Sequence, residues 1–449
     1  MEENKQAAIE RTKISIPEDT VTINGKVVSR PFLVSMPRSN PELKILTDVL
    51  DSAFITSELS EYGGRDFVQA ICYKITEYED IVRNFIKANR QATLSDENKS
   101  LRNFVMLNQR LKLIDPDTEA LRLWKTNDAW TSLNPPTYLS DYFKQRQSTK
   151  NIEDTHFSFW DELIVPHGPK HISNIAGFIS WFYSKMMNNM HSDSFVPPVP
   201  LIENDRHKYA LIKISDNINR ISDSLYPKVC AYYLCFDANL FRDEQAIHEI
   251  SDIISLAKND LIIIKILGVK KIFEPGFGSY AKKNFMFFLK VLKDIKTLNP
   301  HKTIGLLDGG GFGYSIMGTG TIDFFTDTVS NFPQDSFARN TKLSHRGVLH
   351  PVTLTLERID GIEQYQADHN GELFYNNSIA LFYKGKNIKT SDRIRWSIDT
   401  RKMGLLMWQE RMAGLVNSLN SGFGTMRFDE IVRSDYAILA DILKEVTNG

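Results

Sequence analysis

Several acidic residues and a run of glycines stand at the ends of apolar stretches, where parallel α/β proteins keep their chemistry. Asp308 follows Ile304-Gly305-Leu306-Leu307 and opens Asp308-Gly309-Gly310-Gly311-Phe312-Gly313. Glycines after a strand let the backbone approach a ligand, and consecutive N–H groups can cradle an anion or a carbonyl oxygen; the same glycines also suit a tight turn. The Gly-Lys-Ser/Thr ending of a P-loop is absent. In Ile322-Asp323-Phe324-Phe325-Thr326-Asp327, alternation puts Asp323 and Phe325 on one face and Phe324 and Thr326 on the other. Asp327 or Asp323 can act as nucleophile or base if a partner holds its charge. Either can equally cap a helix or pair with Arg339 or Arg346. Asp237, after Phe236, and Glu274, in Phe273-Glu274-Pro275-Gly276, can accept the N–H edge of a purine-like base or cap the next helix. Tyr232, Tyr233, Phe273, Phe277 and Phe312 are candidates to stack on such a base or to fill core.

The elements that position these residues alternate. An apolar run over 261–267 is followed by a helical pattern over 280–298, a short strand over 304–307 and another over 321–325. Upstream, Asn24-Gly25 predicts a hairpin, residues 31–37 a buried strand, 66–90 a long helix, and 229–236 a strand. Residues 195–202, with three prolines, suit a sheet edge. Helices are predicted over 172–190, 209–225, 243–257, 404–421 and 428–446, and strands over 348–359 and 378–384 around an Asp368-His369-Asn370-Gly371 turn. About eight strands with intervening helices predict a (β/α)8 TIM-like barrel with a helical insertion over about 91–170; an open doubly wound sheet is the alternative. Residues 1–30 read as a tail and hairpin, 31–425 as the barrel, and 426–449 as a C-terminal helix.

Composition narrows the class without fixing it. The 449 residues are 42% hydrophobic and 24% charged with a formal net charge of −1, so no global field draws the chain to nucleic acid or an anionic membrane. A cytoplasmic protein with no membrane partner is expected, because no apolar run reaches spanning length and the start is polar. Three cysteines, Cys72, Cys230 and Cys235, make no disulfide framework and no zinc cluster. His167, His171, His345 and His350 lack a catalytic neighbour in the sequence.

Residues 267–422 resemble the tRNA-guanine transglycosylase family. Leu267-Gly268-Val269 sits where that family has a base-binding strand end. Leu307-Asp308-Gly309-Gly310-Gly311 followed by Gly320-Thr321-Ile322-Asp323-Phe324-Phe325-Thr326-Asp327 is similar to its glycine turn and nucleophile strand. Thr400-Arg401-Lys402-Met403 and 408–422 are similar to its final helix. The family's Cys-x-Cys-x2-Cys zinc ligands are missing, Lys402 takes the place of the histidine ligand, the Asp-Ser-Gly-Gly motif is absent, and Thr326 holds the nucleophile's position with Asp327 beside it. The resemblance implies a barrel that binds a guanine or 7-deazaguanine base through Asp308, Gly309, Gly310, Gly311, Asp237, Gly268 and Glu274. Asp327 or Asp323 would be the nucleophile in base exchange, with no metal and no cofactor. A nucleotide, a nucleic acid or a protein partner fits this reading. The alternatives are a catalytically inactive binding or accessory subunit and an unrelated TIM-barrel hydrolase.

Overall fold

The computed structural model describes residues 19–30, 32–37, 43, 68–89, 109–119, 133–136, 152–164, 171–273, 276–309, 313, 316–317, 320–327, 348–349 and 356–357. Strands β1 (Asp19–Ile23) and β2 (Lys26–Arg30) form the hairpin read from Asn24-Gly25. Both turn residues have positive φ, +48° and +82°, as a tight two-residue turn with the twist of its strands requires.

The core is one all-parallel sheet. Its strands are β3 (Phe32–Ser35), β4 (Val68–Lys74), β5 (Leu111–Asp115), β6 (Leu201–Ile202), β7 (Tyr232–Asp237), β8 (Leu261–Leu267), β9 (Thr303–Leu307) and β10 (Phe324–Asp327). They lie in the order β5-β4-β3-β10-β9-β8-β7-β6. Helices α1 (Tyr78–Asn89), α2 (Ile152–Ile164), α3 (His171–Tyr183), α4 (Lys208–Leu225), α5 (Glu244–Ser255) and α6 (Ser279–Leu298) supply connections between strands. Each strand of this kind is buried on both faces, so β8 reads Leu-Ile-Ile-Ile-Lys-Ile-Leu with no exposed position. A short antiparallel pair, β11 (Val348–Leu349) and β12 (Leu356–Glu357), stands apart from the sheet.

The closed (β/α)8 barrel expected from the strand count is not formed. Strands β5 and β6 are the two ends of the sheet, and no ladder joins them among the described residues. The reason lies in the approach to β6, where Pro197, Pro198 and Pro200 remove backbone donors and leave only Leu201 and Ile202 to pair with β7. Single contacts hold the two ends near each other instead. The Asp193 N–H donates to the Lys112 carbonyl at 2.7 Å, and the Thr118 hydroxyl to the Val199 carbonyl at 2.5 Å. Nor is this the doubly wound order, since β10 lies between β9 and β3.

The sheet is nonetheless strongly curled. Five strand spacings separate β5 from β8, roughly 24 Å in a flat sheet at about 4.8 Å each. Yet Lys265 of β8 and Asp115 of β5 touch side chain to side chain at 2.5 Å. One face must therefore curve inward, and cross-strand register shows what it carries. Cys235 pairs with Lys265, Lys265 with Leu307, Cys72 with Leu113, and Lys74 with Asp115. Closer to the amino ends this face is packed by rings: Phe324 stacks on Phe32 and occupies the space beside Gly305, where a Cβ would come within 1.9 Å of the ring.

Two readings shift. The helix expected over 66–90 is a strand, β4, followed by the shorter α1, because a strand buried on both faces offers apolar residues at every spacing, including the helical one. Strand β5 falls inside the stretch assigned to an insertion. The predicted helices over 404–421 and 428–446, the strand over 378–384 and the turn at 368–371 lie outside the described residues.

Candidate functional site

At the carboxyl ends of the strands the inner face becomes ionic. Lys265 is fully buried in the middle of an isoleucine run, where an ammonium is stable only if carboxylates surround it. Its Nζ lies 2.5 Å from Asp115 Oδ2 and 3.2 Å from Asp308 Oδ2, and it donates to Glu119 Oε1. A second buried ammonium, Lys74 at the end of β4, reaches Asp117 Oδ1 at 2.8 Å and Glu119 Oε1 at 3.5 Å. The Thr76 hydroxyl donates to Asp117 Oδ2 at 2.5 Å, and the Asp117 N–H to Asp115 Oδ1 at 2.9 Å. Among the described residues the cluster therefore sets four carboxylates (Asp115, Asp117, Glu119 and Asp308) against two ammonium groups.

The backbone is bent to place two of these carboxylates. Strands β8 and β9 are neighbours, and each is followed by a left-handed residue: Gly268 at φ +69° after Leu267, and Asp308 at φ +54° after Leu307. Glycine takes that conformation freely, whereas a residue with a Cβ gives up about 1 kcal/mol or more there. Asp117 is left-handed too, at +52°. Aspartate at both positions sets carboxylates in the cluster at a local conformational cost. The Asp308 N–H is anchored by the Thr326 hydroxyl at 2.7 Å, which ties the end of β9 to β10.

Electrostatics follow from this packing. Burial alone would push the Lys265 ammonium down, but Asp115, Glu119 and Asp308 hold it well above its usual range. Lys74 is raised against its own burial by Asp117. Lys265 is thus a fixed cation and not a neutral amine able to attack a carbonyl. Burial lifts the Glu119 carboxyl to about 7; Lys265 opposes the rise, and the Asp115 and Asp117 charges add to it. Cys72 and Cys235 flank the cluster as buried thiols pushed well up, first by burial and then, respectively, by Asp115 and by Glu119. Carboxylate oxygens of Asp115, Glu119 and Asp308 lie within 4.8 Å of one another, a spacing that suits a cation. The Lys265 ammonium contacts all three, so the place a metal would take is filled by the protein's own charge.

The residues singled out in the sequence divide between two ends of the sheet. Asp308 is in the cluster, and Gly309 is buried beside Leu306 and Phe325. Gly268 forms the adjoining strand-end turn. Asp237 ends β7 and caps the turn Ala238–Arg242, accepting from the Asn239 N–H at 2.7 Å and the Asn239 amide at 2.6 Å. The backbone of Asp327 is the last residue of β10, at the carboxyl side. Asp323 precedes β10 and lies at the opposite, amino end. There Oδ1 takes Lys296 at 2.6 Å and Oδ2 takes the Ile304 N–H at 2.8 Å. Gly310, Gly311 and Glu274 lie outside the described residues.

Lys265, Lys74, Asp115, Asp117 and Glu119 are the site residues that sequence reasoning misses. Their signals are present: a lysine inside Leu-Ile-Ile-Ile-Lys-Ile-Leu, and acids at alternate positions in Ile114-Asp115-Pro116-Asp117-Thr118-Glu119, directly after an apolar run. No family model matches the chain, and no curated protein matches it. Among the described residues, no helix is long and apolar enough to cross a membrane.

Proposed function

We propose that the protein binds a guanine- or 7-deazaguanine-type base at the carboxyl ends of its parallel strands and exchanges that base on a nucleotide or nucleic acid. The observation that carries this reading is the excess of buried carboxylate around Asp308. A surplus of acceptors beside fixed ammonium groups suits a ligand whose edge is rich in N–H donors, and the 2-amino-lactam edge of guanine is such an edge. The left-handed Asp308 supports the same reading, since a plain turn at that position would favour glycine. In this scheme a carboxylate oxygen of Asp327 attacks the anomeric carbon. The bond to the outgoing base breaks with its electron pair going to the base nitrogen, and an incoming base reverses the step. Asp323, held by Lys296 and the Ile304 N–H at the far end of β10, is left a structural role.

A second reading has an observation of its own. The cluster is fully buried and Lys265 already satisfies three carboxylates, as in a site that stiffens a binding or accessory subunit without chemistry. Exchange of labelled guanine or 7-deazaguanine into an oligonucleotide separates the two. The full chain is expected to exchange, and Asp327→Ala to lose the activity by at least about 100-fold while keeping base binding. Exchange untouched by Asp327→Ala removes the nucleophile, and base binding without exchange in the parent chain favours the accessory role.

A further inference from the structure

Glu119 differs from the two aspartates that precede it, Asp115 and Asp117. Asp115 receives Lys265 on one oxygen and the Asp117 N–H on the other, and Asp117 receives Lys74 and the Thr76 hydroxyl. Glu119 shares both ammonium groups through Oε1 alone. Its Oε2 is buried and finds no hydrogen-bond partner among the described residues. An ionised carboxylate with one oxygen stripped of donors, inside a group with two more negative than positive charges, is the place where a proton settles.

We propose that Glu119 is the proton-transfer residue of the site, holding on Oε2 a proton that it exchanges with the ligand bound at the strand ends. The groups facing it are Lys265 from β8, Lys74 from β4, Asp308 after β9, Cys235 and Tyr233 from β7, and Asp115 and Asp117 from its own strand end. Lys265 acts through Glu119 and is a positioning residue: it fixes Oε1 and thereby leaves Oε2 free to turn toward a ligand. The carboxyl's rise to about 7 by burial agrees with this geometry, since a group that gives and takes protons works best near the ambient pH. The inference rests on the base-exchange reading for its substrate. Glu119 would give its proton to the nitrogen of the departing base as the glycosidic bond breaks, and recover one from the N–H of the incoming base.

Two measurements on the full chain test it. Glutamate labelled with 13C at the side-chain carboxyl is followed by NMR from pH 5 to 9. One carboxyl is expected to titrate near neutral pH, with that resonance missing in Glu119→Gln and its midpoint shifted by Lys265→Arg, which alters the cation on Oε1. Base exchange is then measured against pH. Glu119→Gln is expected to fall about 100-fold and to lose the neutral-range inflection, while Glu119→Asp, which retains a proton, recovers part of the rate and moves the inflection. No glutamate titrating between pH 6 and 8, or a Glu119→Gln profile matching the parent, overturns the assignment. If the parent chain binds and exchanges no base at all, the base-exchange reading falls, and the NMR titration still decides where the proton resides.

Discussion

Two ionic groups occupy opposite ends of the same sheet, and they differ in how fully their charges are met. At the amino end, Asp323 takes Lys296 on one oxygen and a backbone N–H on the other, with Arg30 at 4.0 Å. Arg30 in turn donates to the Lys302 and Pro300 carbonyls and to Asp19. Charges there are matched and both Asp323 oxygens are served, which is how a structural ion pair offsets its desolvation. At the carboxyl end the same chemistry is left unbalanced: among the described residues acids outnumber cations, two aspartates sit in left-handed backbone, and one oxygen of Glu119 lacks a donor. Such imbalance lowers stability, and the proposed ligand site rests on it.

The sharpest way to break this comparison is to remove the central cation. Lys265→Met leaves three buried carboxylates facing one another and is expected to cost about 3–5 kcal/mol in denaturant unfolding. A loss no larger than that of an exposed pair would mean that the carboxyl end is as relaxed as the amino end.

How much of this was legible in the sequence depends on what each residue had to reveal. Strands β7, β8 and β9 announce themselves as apolar runs closed by Asp237, Gly268 and Asp308, and the hairpin by Asn24-Gly25. Strands β4 and β5 do not. Residues 68–75 are apolar at both helical and strand spacing, so Ile71, Ile75 and Tyr78 imitate one face of a helix. β5 is a five-residue strand inside polar, aromatic-rich sequence. Missing those two strands hides Lys74, Asp115, Asp117 and Glu119, which is most of the cluster. Closure of the sheet was also out of reach, since strand count sets the number of strands but not whether prolines before β6 allow the last ladder to form.

The next effect is pH dependence. The Glu119 carboxyl is raised in the folded state, to about 7, above its unfolded value. The folded protein therefore binds its proton more tightly than the unfolded chain, so the stability this group contributes is full below about pH 4.5 and is lost as pH rises through about 7. That loss is on the order of 3 kcal/mol for a shift of this size. Melting curves from pH 5 to 9 should show it in the parent chain and a flatter profile in Glu119→Gln. Identical profiles would assign the pH dependence elsewhere.

The smallest effect belongs to the amino end. Lys296 is partly exposed, and Asp323 keeps the Ile304 N–H without it, so Lys296→Met is expected to cost about 1 kcal/mol or less and to leave base binding unchanged. A change in base binding would couple the two ends and blur their separation.

Asp308 decides the account most directly, because it is the carboxylate that both readings of the site share. Calorimetric titration of the full chain and of Asp308→Gly with 7-deazaguanine, alongside their unfolding curves, reads ligand and scaffold together. Glycine relieves the left-handed backbone and removes one surplus negative charge, so the variant is expected to be more stable by about 1 kcal/mol and to lose base binding. Base binding of equal strength in both proteins, or none in the parent chain, would contradict the claim that the unbalanced carboxylates at the strand ends exist to hold a donor-bearing ligand.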